Sequence, residues 1–187
     1  MGLAMNNLVT QVTKLDAAQR QLDQAIRLLF GGGDMLSVHT LAFASFRILM
    51  DIFPHQDDDF GKQIDALIEG MGWKRFTAVA NFLKHADRDA DHVLKQDLEG
   101  PNISTIGFAT LLYRRLAGDF TDDMRGFDCW NEILRAPELG IERDPDPAMA
   151  AHEDKIRQAL LSGSSERRLA LGKIVTDELR RIRPQAE

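Results

Sequence analysis

Apolar side chains return at three- and four-residue intervals along nearly the whole chain, the spacing that puts one buried face on an α-helix. Near the start, Leu8, Leu15, Leu22 and Leu29 recur every seven residues, and Met5, Val12, Gln19 and Ile26 interleave with them. This predicts a first helix over about 6–30 with leucine along one seam. Beside the seam stand Gln11, Ala18, Ala25, Asp16 and Asp23, which offer no complementary charge pairs. The helix is therefore expected inside a bundle rather than in a free coiled coil. Gly31-Gly32-Gly33 closes it, and Asp34 is placed to cap the next helix. No strand precedes the glycines and no Lys-Ser or Lys-Thr follows, so they read as a turn and not as a phosphate cradle.

The second helix, about 36–52, is apolar on almost every side and is expected at the centre of the fold. A third follows over 57–69, with Asp57, Asp58 and Asp59 in its first turn, where the helix dipole favours acids. A fourth covers 73–86. The polar stretch 87–102 ends in Gly100-Pro101-Asn102, which reads as a break, and a fifth helix is expected over 104–117. Thr121 opens a sixth, to about 135. Pro137, Pro145 and Pro147 with Gly140 mark a connector over 137–147. Two further helices are expected over 147–161 and 165–182, joined by Ser162-Gly163-Ser164. The class is all-α, a bundle of six to eight helices. Residues 1–136 form its core. Residues 148–187 form a C-terminal helical pair that packs on the core or on a partner subunit.

At 187 residues, of which 44% are hydrophobic, the chain can build one substantial core. Its net charge of −6 disfavours broad, sequence-independent DNA binding. The charge is unevenly spread, with eight basic against three acidic side chains over 155–183. Such a tail can dock on its own acidic body, on a second copy or on a polyanion. A homo-oligomer is the expected assembly, and nucleic acid is not expected unless the basic C-terminal helix holds it. Cys129 stands alone, which excludes an intrachain disulfide and fits a reducing compartment. No leader pattern opens the sequence, and no stretch approaches 18 uninterrupted apolar residues. The expectation is a cytoplasmic protein with no membrane partner.

Candidate chemistry gathers in Asn81-Phe82-Leu83-Lys84-His85-Ala86-Asp87-Arg88-Asp89-Ala90-Asp91-His92. If the fourth helix continues past Ala86, then Asn81, His85, Arg88 and His92 share one polar stripe. His39 lies near the start of the apolar second helix, on the face of Phe43. Such a histidine is either a hydrogen-bonded core residue or the partner of His85 across an interhelical groove. Paired, the two imidazoles with Asp87 or Asp89 would make an acid/base site or a mixed nitrogen and oxygen metal site. Lys84, Arg88, Asn81 and Asp87 would bind a small anionic ligand there. Other chemistries fail on residue type. Asp87-Arg88-Asp89-Ala90-Asp91 starts like an EF-hand loop but has His92 where glycine is needed and Leu98 where the bidentate glutamate belongs. No Glu-x-x-His or His-Glu-x-x-His is present. Cys129, beside Trp130, reads as a small buried residue, and His152-Glu153 as solvated.

Three blocks, Leu15 to Ile26, Ser37-Val38-His39-Thr40-Leu41-Ala42 and Asn81 to Asp89, resemble an uncharacterised family of small bacterial helical proteins over about 14–95. The resemblance implies that His39 and the 81–89 segment belong to one structural unit. A more distant likeness is to HEPN-type helical domains of prokaryotic defence systems, whose signature is an arginine and a histidine with four to six residues between them. Here Arg88 and His92 have three residues between them, so the likeness implies a fold rather than an activity. The function expected is a binding or interaction module that self-associates. The alternative is a small hydrolase or ribonuclease-like enzyme, with or without a metal, using His39, His85 and Asp87 or Asp89. No cofactor is indicated.

Overall fold

A computed structural model describes residues 11–55, 59–85, 87, 90–139, 154–155, 157–158 and 161–182. The described residues are helical with no strand, as expected. The helices are α1 (Lys14–Phe30), α2 (Met35–Ile52), α3 (Phe60–Met71), α4 (Trp73–Phe76), α5 (Ala78–Lys84), α6 (Glu99–Ala117), α7 (Asp122–Leu139) and α8 (Ser165–Ile182), with a short 3-10 turn at Phe53–His55.

Helix α2 lies between α1 and α6, as its apolar circumference requires. Val38, Ala42, Phe46 and Leu49 are fully enclosed, facing Leu22, Ile26 and Leu29 of α1 and Ile106, Ala109 and Leu112 of α6 in one core. By length and composition alone, the span Met35–His55 is apolar enough to cross a membrane. In the bundle it is the central helix, and its buried Ser45 donates to the Ala18 carbonyl. Ala18 and Ala25, fully buried, give α1 its close approach. Asp34 caps α2 by accepting from the Ser37 amide at 2.7 Å.

Several boundaries depart from the sequence reading. Helix α1 starts at Lys14 and not near residue 6. Thr13 and Asp16 form a reciprocal capping box, each side chain accepting from the other's amide at 3.0 Å. Val12 therefore lies ahead of the helix and is exposed, while Met5 and Leu8 fall outside the described residues. Helix α3 starts at Phe60, and Asp57 and Asp58 also fall outside. The fourth helix is divided at Thr77, whose hydroxyl bonds back to the Trp73 carbonyl, a contact that bends helices. Its second half ends at Lys84, so the stripe Asn81–His85–Arg88–His92 does not form on one helix. Helix α6 starts at Glu99, five residues before the expected position. Pro101 is its third residue, where the amide proline lacks would have had no intrahelical partner.

Helix α7 runs to Leu139, so the first residues of the expected connector are helical. Residues 140–153, including His152 and Glu153, are outside the described residues, and so is most of the helix expected over 147–161. Helix α8 packs on α1 and α7 of its own chain through Leu169, Gly172 and Thr176. Trp130 of α7 is fully buried and donates its indole N–H to the Arg168 carbonyl at 2.9 Å.

Candidate functional site

His39 is completely enclosed. Asn102, in the first turn of α6, donates its amide to the Met35 carbonyl at 3.0 Å, which turns its Oδ1 toward the imidazole. His39 Nδ1 donates to that oxygen at 2.9 Å, so the neutral ring carries its proton on Nδ1 and Nε2 is left as a buried acceptor with no partner among the described residues. The ring stacks on Phe43 with centroids 5.7 Å apart. On that same phenylalanine sits Lys84 Nζ, 5.4 Å from the centroid. The His39 region and the 81–85 segment thus meet through Phe43, which both the imidazole and the lysine contact.

The other sequence candidates are dispersed. Asn81 is exposed and bonds within its own turn to the Thr77 hydroxyl at 3.2 Å. His85 caps α5, its backbone amide donating to the Asn81 carbonyl, and its side chain is half-buried. Asp87 is exposed. Arg88 and Asp89 lie outside the described residues. His92 is in irregular chain with its ring 5.7 Å from that of Phe82. Among the described residues, no three His, Cys, Asp or Glu side chains are placed to hold one metal ion. Cys129 is half-buried, and burial followed by the charges of Glu132 and Asp128 pushes its thiol up, away from a reactive thiolate.

Burial pushes the His39 pKa down, with the Asn102 bond opposing it. The unfolded chain binds a proton near pH 6.5 that the folded chain refuses, so stability is full above that pH and falls below it. The expected slope is up to about 1.4 kcal/mol per pH unit below pH 6.5. Urea melts from pH 7.5 to 5 check this. His39→Gln, which retains a donor for Asn102, is expected to flatten the dependence. An unchanged slope would assign it to other groups.

A second polar cluster escaped the sequence reading because its members are far apart in the chain. Asp23 of α1 is buried, and one carboxylate oxygen accepts from the Thr121 hydroxyl at 2.5 Å. Thr121 in turn caps α7 by accepting from the Met124 amide. Next to it, the nearly enclosed Asp123 carboxylate is held by Arg27 of α1 at 2.7 Å and by Arg180 of α8. Tyr113 donates to Gln19 at 2.9 Å close by. Burial raises the Asp23 pKa, and the Asp123 charge raises it further. With its folded pKa above the unfolded value, Asp23 favours the fold when protonated and opposes it once ionised. Asp23→Asn keeps the acceptor for Thr121 and is expected to raise the melting temperature at pH 7. The gain should disappear at about pH 3, where both forms are neutral; equal gains at both pH values would contradict the assignment.

The surface also carries a groove of about 690 Å³ between the end of α3, α4 and the first turn of α6. Met71, Phe76 and Pro101 form its apolar wall, and Arg75, Gln96, Asp97 and Ser104 its polar side. No pattern in the sequence announced it, because it depends on α6 beginning at Glu99. No known protein family, curated protein or solved structure matches this chain.

Proposed function

We propose that the chain is a helical interaction module that pairs with a second copy of itself through the outer face of α8. The observation that carries this reading is that α8 has apolar side chains on both faces. Leu169, Gly172 and Thr176 face its own core. On the opposite side, by helical geometry, Ile174 is 61% exposed, and Ile182, about 80° round from it at the end of α8, is 60% exposed. A helix apolar on two sides is normally covered on two sides. The charges around Ile174 support a like partner over a polyanion. Lys173 pairs with Asp177 and Arg181 with Glu178, so the face carries both signs, while Arg180 and Arg168 are engaged by Asp123 and Glu99. A twofold contact would bring the same mixed surface to itself. The enzyme reading receives less support, because the His39 imidazole is sealed behind Phe43 and Asn102.

Removing residues 147–187 is a poor test of pairing, since it would also uncover Phe30 and Trp130. Sedimentation velocity of the full chain with Ile174→Asp and Ile182→Asp is the better one. The wild type is expected to shift from monomer toward dimer as concentration rises. The double variant is expected to stay monomeric with an unchanged helical circular dichroism spectrum. A wild type that remains monomeric at about 100 μM, a concentration at which even contacts in the micromolar range are formed, overturns the proposal.

A further inference from the structure

The groove between α3, α4 and α6 has a chemistry independent of α8. Arg75 is exposed at its edge and has no ion-pair partner among the described residues. Of the two acids at the start of α6, Glu99 is ion-paired away from the groove, while Asp97 lines it on the polar side. Asp97 accepts from the Glu99 amide at 3.1 Å, and the Glu99 carboxylate is taken by Arg168 at 2.9 Å and by the Ser165 hydroxyl. Ser104 and Gln96 line the same space, with no side-chain hydrogen-bond partner among the described residues. Gly100 adds a first-turn amide that α6 itself cannot satisfy. A Cβ placed on Gly100 would meet no atom within 4 Å, so the first turn of α6 opens onto free volume. Against these donors stand the apolar surfaces of Met71, Phe76 and Pro101. Phe76 is in ring contact with Trp73, Phe43 and Phe46, which holds that part of the wall in place.

Polar side chains lining one groove beside an apolar wall, in a space within the range of small-molecule sites, select a ligand with two unlike ends. We infer that the groove binds a small amphipathic carboxylate. Its head group is held by Arg75 with Ser104 and Gln96, and its apolar body lies along Met71, Phe76 and Pro101. The guanidinium supplies the discrimination, because a planar two-donor fork matches a carboxylate and gains nothing from a neutral alcohol of the same length.

Isothermal titration of the full chain tests this with three probes: octanoate, octanol and inorganic phosphate. Octanoate is expected to bind at least about tenfold more tightly than octanol, and phosphate to give no heat of binding. Arg75→Gln is expected to remove that tenfold preference while leaving thermal unfolding of the free protein unchanged. Gly100→Leu, which fills the space above the first turn, is expected to weaken octanoate to a similar degree. Equal affinities for octanoate and octanol, or an unaltered preference in Arg75→Gln, would overturn the inference. Phosphate binding as well as octanoate would also overturn it, by leaving a plain anion site with no use for the apolar wall.

Discussion

Trp130→Ala is expected to cost about 3–5 kcal/mol, the range for emptying a large aromatic site in a core. That is a large share of the roughly 5–15 kcal/mol that holds a domain of this kind together. The indole is fully buried, 5.1 Å edge-to-face from Phe30 and 5.9 Å from Phe127. It does two things at once. It fills the space where α1, α7 and α8 meet, and its N–H occupies the Arg168 carbonyl near the start of α8. Trp130→Phe separates the two roles. The ring volume is mostly kept and the indole hydrogen bond is lost, while the carbonyl keeps its helical partner, for an expected loss of about 1 kcal/mol. Urea unfolding with an unchanged slope measures both. A loss below about 1 kcal/mol for the alanine variant would mean that α8 is not seated on the tryptophan.

The second large effect reverses a familiar sign. Alanine normally favours a helix over glycine by about 1 kcal/mol. Here both Gly126→Ala in α7 and Gly172→Ala in α8 are expected to destabilise, by about 1–3 kcal/mol each and more if the helices cannot shift. A Cβ on Gly126 would stand 2.1 Å from the Thr176 hydroxyl and 2.9 Å from the Thr176 Cα. The hydroxyl can rotate away, but the backbone cannot. A Cβ on Gly172 would stand 2.1 Å from a ring carbon of Phe30, which Trp130 and Phe127 hold in place. The two glycines are what lets α8 lie close on α7 and α1. Thermal melts of the single variants check the sign. Gly126→Ala combined with Thr176→Gly should recover part of the loss, because the two nearest atoms, Oγ1 and Cβ, are removed while the Cα stays. Additive losses in that pair would place the strain elsewhere.

What could be read from the sequence follows the range of the interactions. Helix α2 was legible because an all-apolar circumference is a local property, and Asp34 because a cap acts within three residues. Thr13-x-x-Asp16 was equally local and marks the start of α1, but the heptad of leucines carries the eye past it to Met5. Pro101 misled for a physical reason, since proline breaks a helix interior yet is tolerated in a first turn. That single shift moved Asn102 from a loop into α6, where it meets His39. The candidate site was legible only as a choice of residues. Nothing local tells His39 that its partner is Asn102, 63 residues on, or Asp23 that it will meet Thr121, 98 residues on. The same holds for Arg27 and Arg180 on Asp123, the second of which ties the basic C-terminal helix to an acid of the protein's own body. Charge bias signalled that the tail would seek an anion, but only the folded arrangement names the carboxylate.

The account depends on α8 being fastened to α1 and α7, so that its outer face is presented on a rigid support. Native-state hydrogen exchange on the full chain measures this directly. Amides over 169–179 are expected to open with the same free energy as those around Trp130 in α7, in one cooperative step. If they exchange through a separate opening several kcal/mol cheaper, α8 is a loosely held appendage and the proposed pairing face loses its foundation.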